Sequence, residues 1–224
     1  MKVLLKNEFN RAFKNKWFLI TLVICSIIII YDMCVEIIPT RKSMEIYINT
    51  WGYPVPNLYN RWMELNGSTA TRIFHLIFPL LVCIPYAGTL YSDVKTKYTY
   101  NIVVRANKKD YFLAKLLTQF LVGFVVVMFT LLTSFILTAA ILPVGYPFSG
   151  LNYMVSGMDI IGKAFYKLPL LISFVVMVVE SIIFALIGCI SFVFAYILDN
   201  EIVVMVSPFT LYFFLGVCET PKTA

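Results

Sequence analysis

Ionisable side chains inside apolar sequence are the first place to look for chemistry, and this chain has few of them. Glu180 stands in the middle of a long apolar run, where an ionised carboxylate costs roughly 2 to 4 kcal/mol even on lenient scales. It must face other helices, face a cavity or carry a proton, so its three readings are a hydrogen bond between helices, the lining of a pathway, and proton coupling. Asp32 and Glu36 lie one helical turn apart near the end of the first apolar run, which reads as a solvated face rather than a cation site. His75 opens the second run alone, and one histidine makes no metal site. The five cysteines, Cys25, Cys34, Cys83, Cys189 and Cys218, fall in or at the ends of apolar runs with no C-x-x-C pair. They read as small hydrophobes. Nothing supplies the nucleophile, base and orienting group of a hydrolase, no H-E-x-x-H occurs, and no G-x-x-x-x-G-K-[ST] phosphate loop occurs. The chain is therefore expected to be no enzyme, with no metal or cofactor of its own.

The elements that carry these residues are hydrophobic. Sixty per cent of the 224 residues are hydrophobic and 13% are charged, against roughly a quarter charged in soluble domains, and mean hydropathy is +0.85. In lipid every backbone group must bond within the chain, so the expected fold is all-α, one transmembrane domain over residues 1–224. About 20 helical residues cross the hydrocarbon. Runs of that order at 17–38, 73–91, 112–142, 168–198 and 202–218 predict five spans, the first retained rather than cleaved as a signal peptide. Pro79 and Pro85 in the second run predict kinks. Kinked helices often line pathways, although proline is also common in membrane helices generally.

Charge orients the bundle. Lys2, Lys6, Arg11, Lys14 and Lys16 precede the first span, and Lys95, Lys97, Arg105, Lys108, Lys109 and Lys115 follow the second; these make up eleven of the eighteen basic residues. The positive-inside rule then places the N-terminus in the cytoplasm. The opposite loop, 39–72, carries Trp51, Tyr53, Tyr59 and Trp62, rings expected to settle at headgroup level rather than to build a domain.

Two cytoplasmic segments are patterned. Residues 1–16 place Leu5, Phe9, Ala12 and Phe13 on one helical face and Lys2, Lys6, Asn10 and Lys14 on another, as in an interfacial amphipathic helix. In the loop 92–111, Tyr91, Val94, Tyr98, Asn101 and Ile102 recur at spacings of three and four, with Asp93 in the first turn and Arg105 near the end. Such a stripe suits either a docking surface for another protein or a face lying on lipid.

The string YSDVKTKYTYNIVVRANKKDYFLAK, Tyr91 to Lys115, resembles the segment after the second span in ABC-2 type permeases, the membrane subunits of ATP-driven exporters. Asp93, Arg105, Lys108, Lys109, Tyr111, Ala114 and Lys115 match the family's pattern, an acidic residue opening a coupling helix followed by R-x-x-[KR]-[KR]-x-[YF]-x-x-[AG]-K. The arm MKVLLKNEFNRAFKNKWF and the stretch IVVMVSPFTLYFF, with Ser207 and Pro208, are similar to the family's interfacial helix and fifth span. Lys97 departs from the pattern, standing where many relatives have glycine. The family's usual sixth span has no counterpart before Ala224, so either the sequence is truncated or that element is absent.

The resemblance implies a bacterial cell-membrane permease that works with a second permease copy or a homologous one, amid membrane lipid. A separate ABC ATPase subunit would bind ATP and Mg²⁺ and dock on a coupling helix around Asp93, Tyr98, Ile102 and Arg105. Glu180, Pro79 and Pro85 are then candidates to line the pathway. Apolar spans and aromatic outer loops suit an amphiphilic or peptide-like cargo, and no nucleic acid. Two other readings are a non-transporting immunity or sensor protein that captures an antimicrobial peptide, and an ion-coupled carrier motivated by Glu180; no inverted repeat supports the latter.

Overall fold

The computed structural model describes residues 2–46, 56–104, 107–147 and 160–219. Among these the chain is helical, with no strand. Helix α1 spans Lys2–Phe13 and α2 spans Lys16–Asp32. A π-helical turn, Met33–Ile37, carries α2 directly into α3, Ile38–Ile46. Two single turns follow, α4 (Leu58–Arg61) and α5 (Met63–Asn66), then α6 (Thr69–Leu81), α7 (Gly88–Lys95) and α8 (Tyr98–Val103). The remaining helices are α9 (Lys108–Ile141), α10 (Ile160–Lys167), α11 (Pro169–Phe194) and α12 (Glu201–Glu219). Three apolar helices are long enough to cross a membrane: Lys16–Met44, Lys108–Ile141 and Pro169–Phe194.

Asparagines set several of the starts. Asn15, Asn107 and Asn200 accept hydrogen bonds from the N–H groups of Trp17, Lys109 and Ile202, at 3.2, 3.1 and 3.0 Å, as N-caps do.

The second predicted span, 73–91, is not one helix. α6 ends at Leu81, turns occupy 82–87, and α7 resumes at Gly88. Pro79 is accommodated inside α6, whereas Pro85 falls within the turns, where its missing N–H leaves a gap in the ladder before the i→i−4 pattern returns at Ala87. The Tyr86 N–H bonds to Cys83 O instead of continuing the i→i−4 series, which frees Val82 O.

The chain divides into two compact units, residues 1–23, 76–127 and 180–224, and residues 24–75 and 128–179. In the first, Gly123 and Gly188 let helices approach closely. A Cβ at Gly123 would lie 2.7 Å from Val82 Cγ1 and 3.1 Å from Ala185 Cα, and one at Gly188 would lie 2.6 Å from the same Val82 methyl. In the second, Ile29, Met33, Ile37, Met44 and Leu142 form a buried apolar cluster.

The second unit corrects the reading of the outer loop. Trp51 and Tyr53 lie outside the described residues, but Tyr59 and Trp62 are buried. Trp62 meets Phe135 edge-on at 5.3 Å, and Tyr59 does the same to Phe165 at 6.3 Å. Asn57 holds this turn by donating to the carbonyls of Gly145 and Tyr146 at 3.2 and 2.6 Å. Bonding and packing partners within the unit bury these two rings in protein, where the sequence suggested rings open to headgroups.

Candidate functional site

The densest polar arrangement in the first unit is a buried cluster of two acids and two bases. Glu8 is on the inward face of α1, one turn before Ala12, and both are buried. Asp93 is buried in α7 and Lys115, fully buried, lies two turns into α9. Arg11, on α1, reaches in from an exposed position.

Asp93 is the hub. The Arg11 guanidinium contacts both its oxygens, each at 2.9 Å, in the two-pronged geometry that suits a carboxylate. Lys115 Nζ lies 2.8 Å from Asp93 Oδ2, and the Tyr111 hydroxyl donates to the same oxygen at 2.9 Å. Lys115 also reaches Glu8 Oε2 at 3.5 Å and Thr89 Oγ1 at 3.3 Å, while Tyr86 OH donates to Glu8 Oε2 at 2.6 Å. The rings of Tyr86 and Tyr111 complete the ammonium's surroundings, with centroids 5.2 and 5.6 Å from Nζ.

Two positive and two negative groups balance, which lets the cluster be buried at all. Burial by itself would raise the Asp93 pKa, but the Arg11 hydrogen bond and the charges of Lys115 and Arg11 outweigh it and hold the carboxyl below its usual range. Burial would likewise lower Arg11, and the hydrogen bond and charge of Asp93 more than offset it, so its pKa is raised.

The cluster ties α1, the turns after α6, α7 and the start of α9 to one another. Two uncharged side chains extend this tie to the proline break. Gln119, one turn beyond Lys115, donates to the freed Val82 O at 3.1 Å, and Asn15 donates to Pro85 O at 3.0 Å. Val82 and Pro85 are buried, and freed carbonyls there need such partners.

The expected coupling helix around Asp93 is two helices. α7 ends at Lys95, Lys97 adopts a left-handed conformation (φ 59°, ψ 13°), and α8 starts at Tyr98. That single residue breaks the stripe read through Tyr91, Val94, Tyr98 and Ile102. Tyr91 is buried and donates to Asp199 O at 2.5 Å, whereas Tyr98 is exposed and Ile102 half-buried. Arg105 lies outside the described residues. Asp93, read as part of a docking surface, faces inward.

Two adjoining cavities of about 400 and 180 Å³ share Val94 and Tyr196 beside this segment. Tyr91, Lys95 and Asp199 line the larger, and Tyr100, Lys108 and Phe112 the smaller. Elsewhere, Glu180 is half-buried within α11, and Pro79 and Pro85 are buried. The structure does not bring Glu180 or Pro79 into the charge cluster; Pro85 adjoins it through the next residue, Tyr86, and its carbonyl accepts from Asn15.

Sequence reasoning missed Glu8. The signal was present: a lone acid in a basic arm, four residues before Ala12 on the apolar face. Of the residues that carried the family resemblance, Asp93, Tyr111 and Lys115 meet in the cluster and Ala114 is buried beside them. No protein-family model, curated protein or solved structure matches the chain.

Proposed function

We propose that this chain is the transmembrane subunit of an ABC-2 type exporter, a multi-pass protein of the bacterial cell membrane with a cytoplasmic N-terminus. A separate ATPase subunit hydrolyses ATP with Mg²⁺, a second permease copy or a homologue completes the pathway, and the cargo is amphiphilic or peptide-like. Five crossings fit this reading. α6 alone is about 20 Å long, short of the hydrocarbon, but the chain continues through the turns and the start of α7 as far as Tyr91, and α12 reaches about 28 Å.

The observation that carries the reading is the join between α8 and the charge cluster. α8 presents exposed Tyr98 and Tyr100, aromatic side chains of the kind that anchor protein interfaces. It connects through Lys97 to the helix that holds Asp93, and Asp93 connects to Arg11 on α1 and Lys115 on α9. A partner that displaces α8 therefore acts on the interfacial helix and on a spanning helix together. This is the mechanical requirement of a subunit driven by an ATPase outside the membrane. Glu180, Pro79 and Pro85 remain the proposed pathway residues.

The test is to tag the chain in its host, extract it gently and identify what accompanies it. Stoichiometric recovery of a soluble protein with a phosphate loop, lost in Tyr98→Glu and Ile102→Glu but retained in Lys6→Gln, is the expected result. Recovery of the chain alone, where such an ATPase is abundant, overturns the permease reading and favours a non-transporting peptide-capturing protein.

A further inference from the structure

Asp32 was expected to face water, near the end of its apolar run. It is instead fully buried, and among the described residues it forms no ion pair. Its Oδ1 receives one hydrogen bond, from Ser68 Oγ at 3.3 Å, and its Oδ2 has no hydrogen-bond partner. A buried carboxylate so poorly served is costly unless a cation or a proton joins it.

Further oxygens run away from Asp32 in a hydrogen-bonded chain. Ser68 Oγ lies 3.1 Å from Thr71 Oγ1, and the Thr71 hydroxyl contacts the main-chain carbonyl of Met63. Ser68 and Thr71 are buried, and Met63 is fully buried. Thus a carboxylate, two hydroxyls and a carbonyl follow one another, an all-oxygen donor set of the kind hard cations take. The backbone is irregular on both sides. Asp32 stands where α2 passes into the π-helical turn, a distortion that recurs at functional sites. Ser68 lies in the two-residue link between α5 and α6, and its hydroxyl accepts from the Thr71 N–H at 3.2 Å, which fixes it in place. On the same helical stretch Ile29, Met33 and Ile37 are buried and apolar, and Glu36 is the acid one turn beyond Asp32.

We infer that Asp32, Ser68, Thr71 and the Met63 carbonyl form a binding site for one Na⁺ ion. One carboxylate and one monovalent cation leave the buried group neutral, whereas a divalent ion would also need the carboxylate of Glu36, which is only half-buried. Glu36, one turn beyond Asp32 and half-buried, adds negative potential and favours the cation. The site belongs wholly to the second unit and is independent of the permease reading.

The experiment is thermal unfolding of the full chain in detergent at neutral pH, titrated with NaCl against choline chloride at fixed ionic strength, alongside equilibrium dialysis with radioactive ²²Na⁺. Wild-type protein should show a saturable rise in Tm with Na⁺ and bind close to one ion per chain. Asp32→Asn should lose both responses, and Ser68→Ala should weaken the apparent affinity by about tenfold or more. Because Asp32→Asn removes a buried group and could alter folding, dialysis of wild-type and Ser68→Ala protein decides the matter without it. An absence of saturable ²²Na⁺ binding overturns the site and leaves Asp32 a protonated carboxyl. Stabilisation by Ca²⁺ but not Na⁺, or a Na⁺ response unchanged in Asp32→Asn, overturns it as well. No ATPase enters the measurement, so its outcome is separate from that of the co-purification.

Discussion

Lys115 Nζ lies 2.8 Å from Asp93 Oδ2, with Lys115 fully buried and Asp93 nearly so, so the long apolar helix α9 and the end of α7 are joined by a buried ion pair. Removing one member of a buried pair leaves the other charge stranded, at about 3–5 kcal/mol. Lys115→Met should fall near the lower end, because Asp93 keeps Arg11 and Tyr111. Thermal unfolding in detergent measures the loss. Adding Glu8→Gln to Lys115→Met should recover part of it, since Glu8 would no longer be a buried acid without its ammonium. Additive losses would mean that the two acids do not share Lys115.

The same cluster sets an acid limit on stability. Asp93 has its folded-state pKa below the ordinary carboxylate value, which is about 3.9. A depressed acid contributes stability that is complete above the unfolded-state value and is lost as pH falls through the folded-state one. Unfolding temperature should therefore be insensitive to this group between pH 7 and about pH 5 and fall below about pH 4. Asp93→Asn should start lower and lose less over the acid range. A parallel acid decline in both proteins would assign the effect to other carboxylates.

Why some of this could be read in the sequence and some could not follows from how each feature is encoded. α9 and α11 match the apolar runs at 112–142 and 168–198 because an unbroken run of spanning length needs no partner to be recognised. Glu8 and Lys115 are 107 residues apart, and Asp32 and Ser68 are 36 apart. Periodicity registers a face of one helix and carries no information on which distant residue meets it. Asp32 was accordingly taken for a solvated acid, when a serine from a later link covers it. The stripe from Tyr91 to Ile102 failed for a local reason. Its spacing continues through Thr96 and Lys97, but the backbone there leaves the right-handed region, so residues on either side do not share a face.

Lys97 gives a direct test of that break. A residue with a Cβ in the left-handed region costs about 1–2 kcal/mol relative to glycine, partly offset by glycine's greater freedom when unfolded. Lys97→Gly should raise stability by about 0.5–1 kcal/mol and leave the α7–α8 geometry intact. Lys97→Val should lower it, because a β-branched side chain is poorly tolerated at positive φ. A cysteine pair across the break, read by spin-label distances, would show whether the geometry is retained. Stabilisation by Val equal to that by Gly would be incompatible with φ of 59° at this position.

Gly188 and Gln119 test the tie between the proline break and the helices beside it. A methyl at Gly188 would lie 2.6 Å from Val82 Cγ1 and 2.8 Å from Gln119 Nε2, the atom that serves the freed Val82 carbonyl. Gly188→Ala should cost about 1–3 kcal/mol, the usual range for overpacking. Gln119→Leu should cost a similar amount, about 1–3 kcal/mol, by leaving that carbonyl unsatisfied. Gly145→Ala is the control, since its nearest neighbour would be an ordinary 3.7 Å away and little change is expected. The two changes at the break act on one hydrogen bond, so their combination should cost less than their sum. Additivity in that double mutant would show that Gly188 spaces the helices without guarding the Gln119 bond.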